Sequence, residues 1–151
     1  MNKFFRKPQL TPYEADYAQW CAEQGALLRE GRLSDLDREN LAEEIETLGR
    51  SERAEIENRL GVLLLHLLKW KFQPAGRSGS WRASIAEQRM RLAKRLRENP
   101  SLKNAPPEAL AEEYEIARLK AADETRMDEA AFPQECPFSI AEILDPSFFP
   151  N

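Results

Sequence analysis

The stretch that decides the fold is "LGVLLLHLLKW", Leu60–Trp70. Apolar residues lie at nearly every position of it, so a helix over this stretch has no face suited to water. Such a helix is surrounded by other elements, and the stretch therefore predicts a central, buried helix. Upstream, apart from Glu52, apolar side chains recur at steps of three or four residues, which extends the helical pattern back to Ser34.

This helical pattern is longer than the domain that must hold it. Read as one helix, Ser34 to Gln73 would be about 60 Å long at 1.5 Å per residue, whereas a compact domain of 151 residues is about 40 Å across. The helix must therefore bend, break or protrude. Gly49 weakens a helix and Ser51 is a good N-cap, so we predict two helices, 35–49 and 51–73.

Capping signals place the remaining helices. Thr11, followed by Pro12 and Glu14, predicts a first helix that ends at Gly31. Ser34, with Asp37 three places on, opens the second helix. The later predictions are a helix from about Ser80 to Glu98, a helix from about Pro107 to Arg126, and a short helix opened by Ser139 and Glu142.

Strand signals are nearly absent, so the predicted fold class is all-α. We expect a single multi-helix bundle of about five main helices, with a short C-terminal helix and a packed, proline- and phenylalanine-rich tail. Residues 1–10 are expected to form a flexible N-terminal arm, and residues 11–151 a single helical domain.

Bulk composition limits the class of protein. Hydrophobic residues make up 42% and charged residues 32% of the chain, as in a folded globular domain. The longest apolar run, Val62–Leu65, is far shorter than the ~20 residues of a membrane span, and "MNKFFRKPQL" lacks the apolar core of a secretion signal. Two distant cysteines, Cys21 and Cys136, form no disulfide framework. These features predict a soluble cytoplasmic protein with no membrane partner.

Charge is unevenly distributed along the chain. The net charge is −4, yet Lys69–Arg97 holds nine basic residues and one acid, a local +8 that leaves −12 elsewhere. The basic helix 80–98 is suited to an acidic protein partner, or to acidic helices of its own chain in a dimer. Association with nucleic acid is a further alternative, and it would weaken steeply with salt.

Five segments occur in a specific order: "YEADYAQW", "ENLAEEIETLGRSER", "LLLHLLKWKFQP", "RSGSWRASIAEQR" and "ECPFSIAEILD". Together they resemble an uncharacterised bacterial family, the domain of unknown function numbered twenty-nine, over roughly residues 11–150. The resemblance implies an all-helical, cytoplasmic bacterial protein. It brings no activity, ligand or catalytic residue.

The loop between the central helix and the basic helix is the first candidate site. A helix begins just after Gly79, and its free N–H groups favour an anion. The candidate anion- or ligand-binding residues are His66, Trp70, Arg77, Ser78, Trp81 and Arg82. Arginine beside tryptophan is the pattern of nucleotide and single-strand binding. The alternative is structural: the tryptophans anchor the core, and the arginines pair with acidic helices such as 39–57.

Polar residues interrupt the apolar stripes and form the second candidate. Buried polar groups need partners, so we hypothesise one polar core network that fixes helix register or lines a pocket. Its members are Gln24, Glu52, His66, Gln88 and Arg89. With one histidine in the chain, no metal site is predicted. No glycine-rich phosphate loop or nucleophile elbow is present, and no cofactor is predicted.

These observations favour a non-enzymatic protein-interaction or regulatory module, whose partner is another protein or a second copy of itself. Two alternatives stay open. One is anion or nucleotide binding, with or without an enzymatic activity, at loop 76–82, and the other is nucleic-acid association through helix 80–98.

Overall fold

The computed structural model describes residues 9–151, and within that range it contains five α-helices and no strand. The helices are α1 (Tyr17–Arg29), α2 (Arg38–Phe72), α3 (Gly79–Glu98), α4 (Ala105–Thr125) and α5 (Ile140–Leu144). The all-α prediction is therefore confirmed. Most of the predicted N-terminal arm, residues 1–8, lies outside the described residues.

The chain divides into two compact units, one that ends at Gly49 and one over Arg50–Asn151. We call residues 9–49 the N-terminal hairpin and residues 50–151 the C-terminal bundle. The expectation of a single domain over residues 11–151 stays a prediction.

The predicted break at Gly49 is wrong, because α2 runs without interruption from Arg38 to Phe72. A glycine inside a helix costs only about 1 kcal/mol relative to alanine. It ends a helix when it adopts the left-handed conformation, and the described glycine that does so is Gly31, with φ of 72°. Gly31 follows α1, as predicted.

Two helix starts also differ from prediction. The N-cap of α1 is Asp16, whose carboxylate accepts from the Gln19 N–H at 3.0 Å, and not Thr11. Thr11 instead donates its N–H and its hydroxyl to Glu23, at 2.7 and 2.9 Å. Ser34 lies in a 3-10 turn, Leu33–Asp35, and α2 begins only at Arg38.

The predicted central helix is the middle of the C-terminal bundle. Five leucines of α2 are completely buried: Leu60, Leu63, Leu64, Leu67 and Leu68. They pack in one core with buried side chains from α3, α4 and the tail, among them Ile85, Leu92, Tyr114, Ala117, Ala121, Phe132, Phe138 and Ile143. The packed tail is thus part of the core, as expected.

The last three helices match their predicted bounds within two residues. Ser139 and Glu142 form the predicted capping box, in which each side chain accepts from the other residue's main-chain N–H. Among the described residues, no helix is both long and apolar enough to cross a bilayer.

Candidate functional site

The loop between α2 and α3 folds into a tight corner. Ser78 is the N-cap of α3, and its hydroxyl accepts from the Trp81 N–H at 3.2 Å. The Trp81 ring lies against Gly76, where an added Cβ would be 2.6 Å from the ring edge. Glycine is therefore required at position 76 for the indole to close the corner, and the Ser78 hydroxyl is already engaged.

The arginines of this loop contact the end of α2 and the C-terminal tail. Arg77 donates Nε to the Trp70 carbonyl at 2.7 Å and Nη2 to the Pro150 carbonyl at 3.3 Å. Arg82 lies on the Phe149 ring, with its guanidinium carbon 4.4 Å from the ring centre. Trp70 is 5.1 Å from Phe149, centre to centre. The structure thus brings Trp70, Arg77 and Arg82 together around the tail.

Lys69 completes the corner with a buried cation. Its Nζ is 2.7 Å from a Glu124 carboxylate oxygen and 4.9 Å from the centre of the Trp81 ring. The corner therefore uses its tryptophans as packing surfaces and Arg77 as a link to main-chain carbonyls. Arg82 is the exposed cation of the set. Anion binding at this loop stays a prediction.

The five residues of the hypothesised polar network have separate partners. Gln24, in the N-terminal hairpin, accepts from the Asp37 N–H at 2.8 Å. Glu52 accepts from Arg95 at 2.8 Å, and Gln88 from Arg59 at 3.2 Å. The remaining bonds are to main-chain carbonyls: His66 Nδ1 is 2.8 Å from the Val62 oxygen, and Arg89 Nε is 2.8 Å from that of Ile143. No hydrogen bond among residues 9–151 joins the five to one another.

Three of the six basic side chains of helix α3 form ion pairs with acids. Ion pairs join Arg91 to Glu87 at 2.8 Å, Lys94 to Glu98 at 3.9 Å, and Arg95 to Glu52 at 2.8 Å. These acids offset part of the positive charge of α3. A nucleic-acid role through helix 80–98 stays a prediction.

The N-terminal hairpin carries a feature that the sequence patterns did not reveal. Tyr17 and Leu28 of α1 are 52% and 50% exposed, and Ile45 and Leu48 of α2 are 65% and 68% exposed. These side chains line an open groove of about 260 Å³, together with Trp20, Cys21, Gln24, Gly25, Leu41 and Glu44. We call this surface the hairpin groove. Ile45 and Leu48 follow the three- and four-residue spacing of a helix face, and only the structure shows that this face is exposed.

Glu44 is the charged side chain of the hairpin groove. Its carboxylate accepts from the Tyr13 hydroxyl and, at 2.7 Å, from the Tyr17 hydroxyl. The bond from Tyr13, followed by that from Tyr17, lowers the pKa of Glu44 below its ordinary value of 4.5. In turn the bond to Glu44 raises the pKa of Tyr13 to about 12. The carboxylate is therefore already engaged within the hairpin.

A second uncovered feature lies between α2 and α4 of the bundle. A Cβ on Gly61 would be 2.6 Å from a carboxylate oxygen of Glu113, so glycine permits the close approach of this side chain. Burial raises the pKa of Glu113, and the negative charges of Glu57 and Glu112 add to the effect. The carboxyl lines a groove of about 370 Å³ with Asn58, Val62, Leu65, Ile116, Ala117 and Lys120.

The fold and these surfaces define a class: an all-helical protein with open grooves. Its described residues contain no cluster of three or more His, Cys, Asp or Glu side chains placed to hold a metal ion. The chain belongs to the family described as Domain of unknown function DUF29, whose model matches residues 12–149. No curated protein and no solved structure matches the chain.

Proposed function

We propose that the protein is a non-enzymatic interaction module, and that the hairpin groove docks on the same groove of a second copy of the chain. One observation carries this proposal. Nine large hydrophobic side chains are exposed in the described chain, and five of them lie in the N-terminal hairpin: Tyr17, Leu28, Leu33, Ile45 and Leu48. Four of these five, all but Leu33, line the hairpin groove, and a concentration of exposed apolar side chains on one surface is typical of a protein–protein interface.

The groove is suited to being covered. Its lining side chains are uncharged except for Glu44, and that carboxylate already accepts from two tyrosine hydroxyls. Covering a bare charge is costly because the charge loses water without gaining a partner. Covering this groove mainly removes apolar surface from water, which favours association.

The two-helix architecture supports a second copy as the occupant. An antiparallel helix pair with one open apolar face is half of a four-helix bundle. Around a two-fold axis the same patch of both copies comes together, so a self-complementary surface is required. The hairpin groove is lined by apolar side chains from one face of α1 and from the start of α2, and this arrangement supports a pairing of the same patch on two copies.

Charge along α1 supports the same arrangement. Glu14 and Asp16 lie at its N-terminal end, and Arg29 lies at its C-terminal end. The Arg29 guanidinium is 3.8 Å from the position of a Cβ on Gly25, which places it at the edge of the groove. When two α1 helices lie antiparallel, each Arg29 comes close to the acidic end of its partner, and this complementarity favours the pairing.

Sedimentation equilibrium of the full chain tests the proposal. We expect a reversible dimer in the parent protein and a shift toward monomer in Leu48→Glu, because the new charge is buried in the interface. Leu119→Glu, on an exposed position of α4, is the matched control and is expected to leave the dimer unchanged. Circular dichroism of each variant verifies that the helices are retained.

Two results contradict the proposal. One is a monomeric parent protein at every concentration, and the other is a dimer that Leu48→Glu leaves intact. A photo-crosslinker in place of Ile45, which lines the groove and is 65% exposed, then identifies the occupant by mass. Adducts of twice the chain mass support self-association. Adducts of any other mass indicate a different protein partner and overturn the assignment of a second copy.

A further inference from the structure

The C-terminal bundle holds a second groove, along α3 and beside the end of α5. It has a volume of about 370 Å³, which lies within the usual range of small-molecule sites. Its apolar lining comes from Ala86, Met90 and Ala93 of α3 and from Leu144 and Pro146 of the tail. Two arginines complete the lining, Arg89 and Arg97. We call it the Arg89 groove.

Arg89 is a buried cation with an unused donor. The residue is 4% exposed. Its Nε and Nη2 donate to the carbonyls of Ile143 and Glu142, at 2.8 and 3.3 Å. Its Nη1 is buried and has no hydrogen-bond partner among the described residues. Buried donors are nearly always paired, so this one calls for a specific explanation.

The positive charge of Arg89 also lacks an ion-pair partner among the described residues. Burial lowers the pKa of the Arg89 guanidinium, and the charge of Asp145 opposes that effect. The Asp145 carboxylate, however, accepts hydrogen bonds from the N–H and the hydroxyl of Ser147, at 2.9 and 2.8 Å. A guanidinium buried without a bonded anion is unfavourable, and an incoming anion relieves this cost.

We propose that the Arg89 groove binds a small carboxylate with a short aliphatic tail. Guanidinium and carboxylate are planar groups with matching hydrogen-bond spacing, so Arg89 selects a carboxylate over a neutral group. The aliphatic tail contacts Met90, Ala93 and Leu144. Arg97, at the rim of the groove, adds positive potential that attracts the anion.

Entry of the ligand requires a side chain of the groove wall to move, because Nη1 is itself buried. Met90 is suited to this movement, since it is 72% exposed and its unbranched side chain changes rotamer easily. The site is in the C-terminal bundle and is independent of the proposed docking of the hairpin groove.

The test is a nuclear magnetic resonance titration of the full chain with hexanoate, observed at the Arg89 side-chain Nε–H. We expect saturable shifts with hexanoate, and at least tenfold weaker responses to hexanol and hexylammonium, which have the same tail without the carboxylate. A second pair of probes, acetyl-alanyl-leucine as the free acid and as the amide, tests the source of the carboxylate. A response to the acid and not to the amide indicates a peptide C-terminus, and a response to hexanoate alone indicates a small carboxylic acid.

The variant that tests the location leaves Arg89 in place. Ala93→Phe fills the groove and is expected to weaken hexanoate binding at least tenfold, whereas Ala83→Phe is the control at an exposed α3 position outside the lining. Unshifted Arg89 signals at the highest hexanoate concentration overturn the proposal. So does an equal response to hexanol, or a parent-like affinity in Ala93→Phe.

Discussion

The N-terminal hairpin and the C-terminal bundle are stabilised by different means. The bundle has one cluster of seventeen buried apolar residues, whereas in residues 9–49 the buried side chains are Trp20, Gln24 and Leu27. The hairpin instead relies on hydrogen bonds to carboxylates. Asp37 accepts from Trp20 Nε1 at 3.0 Å and from Asn40 at 2.8 Å, and Glu44 accepts from two tyrosines. Apolar burial is independent of pH, but bonds to carboxylates are not.

The largest expected effect is a cavity in the bundle. Leu64→Ala removes a completely buried side chain and is expected to destabilise the protein by about 3 kcal/mol. Leu48→Ala removes the same atoms from a position that is 68% exposed, and is expected to change the stability of the dilute chain by less than about 0.5 kcal/mol. Urea unfolding measures both. Equal losses would contradict the proposed difference between the two regions.

The next effect is the pH response of the hairpin. The pKa of Glu44 is lower in the folded state than its ordinary 4.5, so its contribution is present above pH 4.5 and is lost as the pH falls through the lowered pKa. The pKa of Tyr13 is raised from 10.0 to about 12, so stability also falls as the pH rises through that interval. Hydrogen exchange of α1 amides is the measurement. Glu44→Gln is expected to flatten the acid limb, and an unchanged profile would exclude this role.

A smaller effect is expected from the glycines of α2. An added Cβ at Gly49 has no neighbour within 4 Å, so Gly49→Ala is expected to stabilise the helix by about 1 kcal/mol. Gly61→Ala makes the same chemical change where the Glu113 carboxylate is 2.6 Å away, and its gain is expected to be offset by displacement of that carboxylate. Thermal unfolding of both variants separates the two positions. A stabilised Gly61→Ala would show that Glu113 moves freely.

The smallest expected effect is the removal of the Glu113 charge. Its folded-state pKa is raised above 4.5, so the folded protein binds the proton more tightly, and stability falls as the pH rises from 4.5 to the raised pKa. Glu113→Gln is therefore expected to be more stable than the parent at neutral pH, by less than about 1 kcal/mol, with no gain below pH 4.5. Thermal unfolding across pH tests this. A gain that persists in acid would point to another cause.

The sequence predicted the bundle better than the hairpin. The apolar run Leu60–Trp70 specifies a buried helix whatever surrounds it, and the capping box at Ser139 and Glu142 is local. The bounds of α3 and α4 followed from equally local signals. Gly49 was misread because a glycine weakens a helix without ending it, and the outcome depends on its backbone conformation.

The candidate sites depended on contacts that spacing does not encode. Arg77 was predicted for an anion, but its Nε and Nη2 bind the carbonyls of Trp70 and Pro150, and the second of these is distant in sequence. Arg89 was predicted only as one member of the polar core network. That its buried Nη1 lacks a hydrogen-bond partner is apparent only in the folded structure, where the tail packs against α3. Whether Ile45 and Leu48 are buried or exposed likewise depends on tertiary packing, which their spacing in the sequence does not encode.

The bonds from Arg89 to Glu142 and Ile143 have a consequence for how the end of the chain folds. The helix α5 has five residues, well below the ~12–15 at which an isolated helix is even marginal. Its closing carbonyls are bound by a guanidinium that belongs to α3. We therefore expect this segment to become helical only once α3 is in place, late in the folding of the bundle. The hydrogen-exchange rate of the Ile143 amide, which donates to the Ser139 carbonyl, is therefore a measure of how often this end of the molecule opens.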